Sequence, residues 1–175
     1  MVFDFYYRLS PRRRELYERS ERLHAPRLQA AVFRPLADHL GDALDSGRQA
    51  AVRKAAQALA DAFVAALGLP PVRITVRRTR PERGGSEYHG YYEGADGGSP
   101  AQITVWMHTA RRRQVVAFRT FLRTLVHELA HHLDFEGFRL EESLHTERFY
   151  ERESSLFRDI VGEKPRSRPV RRQAG

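Results

Sequence analysis

Apolar positions change their period twice along this chain of 175 residues. Up to Gly68 they recur three or four apart, the spacing of helices with one buried stripe. Ser10 and Pro11 form an N-cap and first-position pair for a helix over residues 10–24, where Leu16, Tyr17 and Leu23 give a modest apolar stripe. Leu28, Val32, Leu36, Leu40 and Leu44 repeat every four residues and predict a second helix over about 27–44, which Pro35 kinks or restarts. Ser46 and Gln49 read as a capping box for a third, over about 47–67, with Val52, Leu59, Phe63, Ala66 and Leu67 facing inward. Gly68 and then Pro70-Pro71 end it.

The period then drops to two. Val72, Ile74 and Val76 alternate with Arg73, Thr75 and Arg77, a strand with one buried face. A loop, TRPERGGSE, precedes a short strand at Tyr88–Glu93; the turn-rich GADGGSP leads to a third strand, Gln102–Met107. Ile103–Trp106 is the candidate rim on which an extended peptide would add as a further strand. The helical period returns at about 114–135 and again at Glu147–Val161, which Thr146 caps and Phe149, Tyr150, Leu156, Phe157 and Ile160 anchor in the core. These elements predict an α+β fold.

Composition narrows the classes. Hydrophobic residues make up 41% and charged residues 30%, as in globular domains. No apolar run approaches the ~20 residues that span a bilayer, and MVFDFYYRLS does not read as a secretory signal, so a cytoplasmic location is the expectation. With no cysteine, disulfides and thiolate metal sites are excluded. The net charge of +8 allows weak electrostatic binding to nucleic acid. Arginine supplies 28 of the 30 basic residues, a bias that genome composition explains as well as a selected patch does. The run Arg12–Arg14 reads as a solvated helix face.

The chemistry lies in the fourth helix. LVHELAHHL contains His127-Glu128-Leu129-Ala130-His131, the HExxH pattern. Side chains at i and i+4 are neighbours on a helix, so two imidazoles can close on one zinc ion. Glu128, beside them, is placed to take a proton from metal-activated water. Phe121, Leu122, Leu125, Val126, Leu129, Ala130 and Leu133 make the helix apolar almost all round, and buried histidines there need a partner. A catalytic zinc takes a third protein ligand. Downstream candidates are Asp134, which also suits orienting an imidazole or solubilising the helix end, the glutamates Glu136, Glu141 and Glu142, which read as exposed, and His145. His132 points to another face and reads as structural.

The segment HTERFYERESSLF, from His145, resembles the one that follows HExxH in SprT-like metallopeptidases and their YgjP-type and WLM-type relatives. There the third histidine precedes a helix as H-x-x-x-F, here His145 with Phe149. YYEGADGGSPAQITV is similar to the strand pair that leads into their active-site helix, and the likeness covers about residues 70–161. It implies a minimal zincin-like fold, with a small, mostly antiparallel sheet on the HExxH helix. It also implies Zn2+ bound by His127, His131 and His145, with Glu128 as general base and a protein or peptide as substrate. On this reading residues 1–68 are a helical extension, 69–162 the catalytic domain and 163–175 a basic, disordered tail. The four-cysteine ribbon of many SprT-like proteins has no counterpart here.

Two alternatives stay open. Thermolysin-like gluzincins take a glutamate about twenty residues after the second histidine, where Glu151 stands, but their N-E-x-x-[SA]-D setting is missing. His145 is therefore favoured. The other is a basic nucleic-acid-associated or adaptor protein whose zinc site is structural, against which Glu128 speaks. For stabilising an oxyanion, Tyr88, His89, Tyr91, Tyr92, Arg148 and Tyr150 have suitable chemistry, without a sequence signal that ranks them.

Overall fold

A computed structural model describes residues 3–79, 82–83, 86–87, 90–108 and 114–163. The basic tail after Glu163, the arginines 111–113, Tyr88 and His89 lie outside the described residues.

Helix α1 (Pro11–Glu21) starts where the sequence places it, with the Ser10 hydroxyl accepting from the Arg13 N–H. Its buried residues are Tyr17 and Ser20. Tyr17 joins Leu9 and Leu144 in a small cluster, against which Leu16 packs. Helix α2 (Ala30–Asp45) continues through Pro35 without a restart, with Phe33, Ala37, Leu40, Ala43 and Leu44 buried. Val32, expected inside, is 49% exposed. A repeat of four drifts about 40° per step on a 3.6-residue helix, so it cannot stay on one face; the buried row is 33, 37, 40 and 44.

The expected capping box is also corrected. Helix α3 (Gln49–Leu67) has no side-chain cap at its start. The Ser46 hydroxyl instead donates to Ala43 O and finishes α2, while the Gln49 amide reaches Val76 O. Gly68 ends α3 in the left-handed conformation, φ 63°. Ala66 is exposed and Leu67 partly so; Ala55, Ala56, Ala60 and Val64 complete the buried face beside Val52, Leu59 and Phe63.

Strands β1 (Val72–Thr79), β2 (Glu82–Arg83), β3 (Ser86–Glu87), β4 (Gly90–Glu93) and β5 (Ala101–His108) follow. β2 and β3 pair only with each other, and the main sheet has the order β1-β5-β4. It is mixed: β1 runs parallel to β5, Val72 opposite Ala101, and β4 runs antiparallel, Gly90 opposite Val105. β5 is therefore the central strand, which corrects Ile103–Trp106 as the rim. Ile103, Val105 and Met107 on one face are fully buried, and Thr104 and Trp106 on the other are buried too, so both faces of β5 are covered. The outer edge of β1 is occupied by α3: the Gln57 amide donates to Val72 O and accepts from Ile74 N. Among the described residues, the free edge of this sheet is β4.

Helix α4 (Phe118–His132) lies against β4 and β5 and continues into a π-turn, Leu133–Gly137, closed by Phe138 N–H on Leu133 O. Helix α5 (Glu147–Val161) begins at Thr146, whose hydroxyl accepts from Phe149 N–H, and ends at Gly162, φ 70°. All seven apolar residues named above for α4 are buried, as are Phe149, Leu156, Phe157 and Ile160 of α5; Tyr150 is exposed. One core joins α2, α3, β1, β5, α4 and α5. No helix among the described residues is long and apolar enough to cross a membrane.

Candidate metal centre

His127 and His131 occupy successive turns of α4, and the chain returns after the π-turn to bring His145 against both. Their Nε2 atoms form a nearly equilateral triangle, 3.2, 3.2 and 3.1 Å on a side. This is the one group of three or more His, Cys, Asp or Glu side chains among the described residues able to hold a metal ion. Glu151 is not in it; its carboxylate pairs with Arg148 on the exposed face of α5. Glu136 pairs with Arg139, and Glu141 and Glu142 with Arg12 and Arg13, so the basic run on α1 ties down the loop before His145.

Groups behind the imidazoles fix their tautomers. The Nδ1 of His127 lies 3.0 Å from the Glu153 carboxylate, which also accepts from Arg123. With Nδ1–H donating there, the neutral ring presents Nε2 as a lone pair. The Nδ1 of His131 is 2.7 Å from Ser143 Oγ, and that hydroxyl donates to Asp134. A hydroxyl that gives its proton to a carboxylate can only accept from the ring, so Nε2 of His131 is again a lone pair. The lone pairs of His127 and His131 thus face each other and the Nε2 of His145 at about 3 Å, an arrangement that a cation held by all three nitrogens would relieve. The donor set thus fits zinc, which favours imidazole nitrogen and a position left open beside three protein ligands.

Phe149 explains the H-x-x-x-F spacing. Its ring is fully buried and touches all three imidazoles, with centroids 5.2, 4.8 and 5.1 Å from His127, His131 and His145. One turn further along α5, Glu153 meets His127. Burial moves the proton affinities in a consistent direction. The His131 imidazole is pushed down to about 3, chiefly by desolvation and further by the two neighbouring rings. His145 is lowered for the same first reason. Burial alone would raise Glu153, but the hydrogen bonds from His127 and Arg123 carry it below the ordinary value.

Glu128 stands apart from this network. It is 6% exposed, and burial raises its carboxyl to about 7. It lies against β4 so closely that a Cβ built on Gly90 would sit 2.3 Å from its Oε1 and 2.8 Å from its Cγ. The sheet's free edge and the HExxH carboxylate therefore meet at a glycine.

Asp134 proves to be a positioning group. It is fully buried, accepts from Ser143, and takes two hydrogen bonds from Arg152, at 2.8 and 3.0 Å. Arg152, also buried, donates onward to the Ser20 and Leu23 carbonyls at the end of α1. His132 is structural, with Nε2 at 2.9 Å from Pro70 O and Nδ1 at 3.1 Å from the Tyr92 hydroxyl. That bond commits Tyr92, whose phenol burial raises to about 12. Of the other oxyanion candidates, Tyr91 is exposed, Arg148 is held by Glu21 and Glu151, and Tyr150 stacks on His145 with centroids 5.7 Å apart. Ser143, Arg152 and Glu153 were not singled out from the sequence. Glu153 alone left a trace there, as an acidic residue four positions after Phe149 on the apolar face of α5.

No protein-family model matches the chain, and no curated protein or solved structure matches it.

Proposed function

We propose that this protein is a zinc-dependent peptidase, with Zn2+ held by His127, His131 and His145 and with Glu128 as its general base, as in the SprT-like group. The observation that carries the reading is the convergence of three imidazole Nε2 atoms beside a carboxylate that takes no part in holding them. A structural site needs the three nitrogens and has no use for a buried, unpaired acid with a pKa near neutrality. A zinc ion bound there supplies Lewis acidity, which acidifies water and polarises a scissile carbonyl.

The chain's own residues divide the remaining work. Glu128 accepts the proton of the attacking water and passes it to the leaving nitrogen as the carbon–nitrogen bond breaks, so acid and amine are released with no other reactant. Glu153 and the Ser143–Asp134–Arg152 chain hold the imidazoles in one tautomer. The free edge of β4 gives an extended substrate main-chain partners beside Glu128. Protein or peptide is the substrate class that fits such an edge.

Metal analysis of the wild type beside Glu128→Gln, together with incubation on an unfolded protein, tests the proposal. Both proteins should bind one zinc ion, and only the wild type should cleave. A wild type without stoichiometric zinc refutes it. His145→Ala should lose the metal and Glu151→Ala keep it; the reverse pattern would restore the glutamate assignment.

A further inference from the structure

Tyr150 faces two ways. Its ring stacks on His145, and it also lines a groove of about 670 Å³ between the outer face of α5 and the chain that links α1 to α2. On the α5 side the lining runs from Tyr150 through Ser154 to Arg158; on the other stand Phe3, His24 and Arg27. The near end is aromatic: Phe3 meets Tyr150 edge to face at 6.4 Å, and the two rings are 39% and 44% exposed. The far end is cationic. Arg27 pairs with Asp159, whereas Arg158 has no ion-pair partner among the described residues. Arg148 and Glu151, in between, neutralise each other.

Resting on the peptidase reading above, we infer that this groove is a subsite of the metal centre. It takes an aromatic side chain of the peptide substrate against Phe3 and Tyr150, and an acidic residue further along at Arg158. Three features commit it to that occupant. The Tyr150 ring that lines the groove also stacks on His145. Exposed aromatic faces beside a reaction centre suit a planar apolar side chain. Tyr150 and Arg158 are eight residues apart on α5, about 12 Å at 1.5 Å per residue, the reach of three to four residues of extended peptide.

The test is fluorescence anisotropy on the zinc-loaded protein. The probe is a labelled peptide with one phenylalanine and glutamates three and four positions to either side; its controls carry lysine for each glutamate, or glycine for phenylalanine. The wild type should bind the probe at least about tenfold more tightly than either control, a step of about 1.4 kcal/mol. Arg158→Gln should abolish the preference over the lysine peptide and Arg158→Glu reverse it. Tyr150→Ala should lose the preference for phenylalanine and Tyr150→Phe keep it, with zinc content unchanged in all four. Equal wild-type affinity for the three peptides overturns the inference, as does unaltered selectivity in the folded Arg158 and Tyr150 variants. Cleavage is scored separately on an unfolded protein. A protein that binds selectively but never cleaves removes the peptidase reading and keeps the groove; one that cleaves without this selectivity does the opposite.

Discussion

Glu128 and Gly90 carry the sharpest consequences at the scale of single residues. The Glu128 carboxyl is protonated in both folded and unfolded chains well below pH 4.5, and ionised in both above about 7, where the folded chain bears the cost of a buried charge. The metal-free protein should therefore lose stability as pH rises through that window, by up to about 3 kcal/mol. Glu128→Gln removes the loss: in urea titrations of metal-free protein it should exceed the wild type at pH 8, with the gap shrinking by pH 5. A gap of equal size at both values would contradict the assigned cause. At Gly90 even one methyl group collides with the Glu128 carboxylate. Gly90→Ala should keep its zinc and lose about 10²-fold in peptidase rate, since misplacement by about an ångström costs that much; a rate within twofold of wild type would show that Glu128 can move without penalty. Sequence disclosed His127, Glu128 and His131 because one helix fixes their spacing. It offered His145 as one of several downstream candidates and singled it out only through a resemblance, and disclosed Gly90 not at all, because contact between a strand and a distant helix leaves no periodic trace.

At the scale of elements, α5 does more than close the core. It presents Phe149 and Glu153 to the imidazoles from successive turns. Replacing Glu153 with alanine frees the His127 ring to turn and to change tautomer, and should weaken zinc binding by about 10–100-fold in competition with a chelator. Retention of wild-type affinity would reduce Glu153 to a partner of Arg123. The limits of α5 were legible to the residue, because Thr146 and Gly162 have the chemistry its two ends require. The buried row of α2 was misread because a four-residue repeat imitates a stripe without being one. The place of β5 at the centre of the sheet was hidden for another reason. Edge position depends on which strand arrives beside it, and here a parallel partner comes from the far side of three intervening strands and their turns.

At the scale of the whole molecule, the Arg152–Asp134 pair connects α1, the π-turn and α5. Both side chains are withdrawn from water, so removing one leaves the other buried without its counter-ion. Arg152→Ala should destabilise the protein by about 3–5 kcal/mol in denaturant. It should also weaken zinc binding, because Asp134, the acceptor that sets the direction of the Ser143 hydroxyl, loses the two hydrogen bonds that hold it. A variant with unchanged stability would show that water or a rearranged Asp134 takes over. This network had no sequence signature: Asp134 and Arg152 are 18 residues apart, and only the turn between α4 and α5 brings them together.

Gln57, which with Gln49 occupies backbone groups of Val72, Ile74 and Val76 at the outer side of β1, also has a bearing on crowding. A sheet with two open sides can recruit copies without limit, and each arrival offers a new side to the next. A sheet with one open side stops after a single pairing, since the second copy brings its sealed side outward. At concentrations high enough for strand exchange, the wild type should accumulate nothing larger than a dimer in light scattering. Gln57→Ala, by exposing Val72 O and Ile74 N–H, should grow into longer species under the same conditions. The residue that finishes the hydrogen bonding of an edge strand thereby sets the size at which self-association ends.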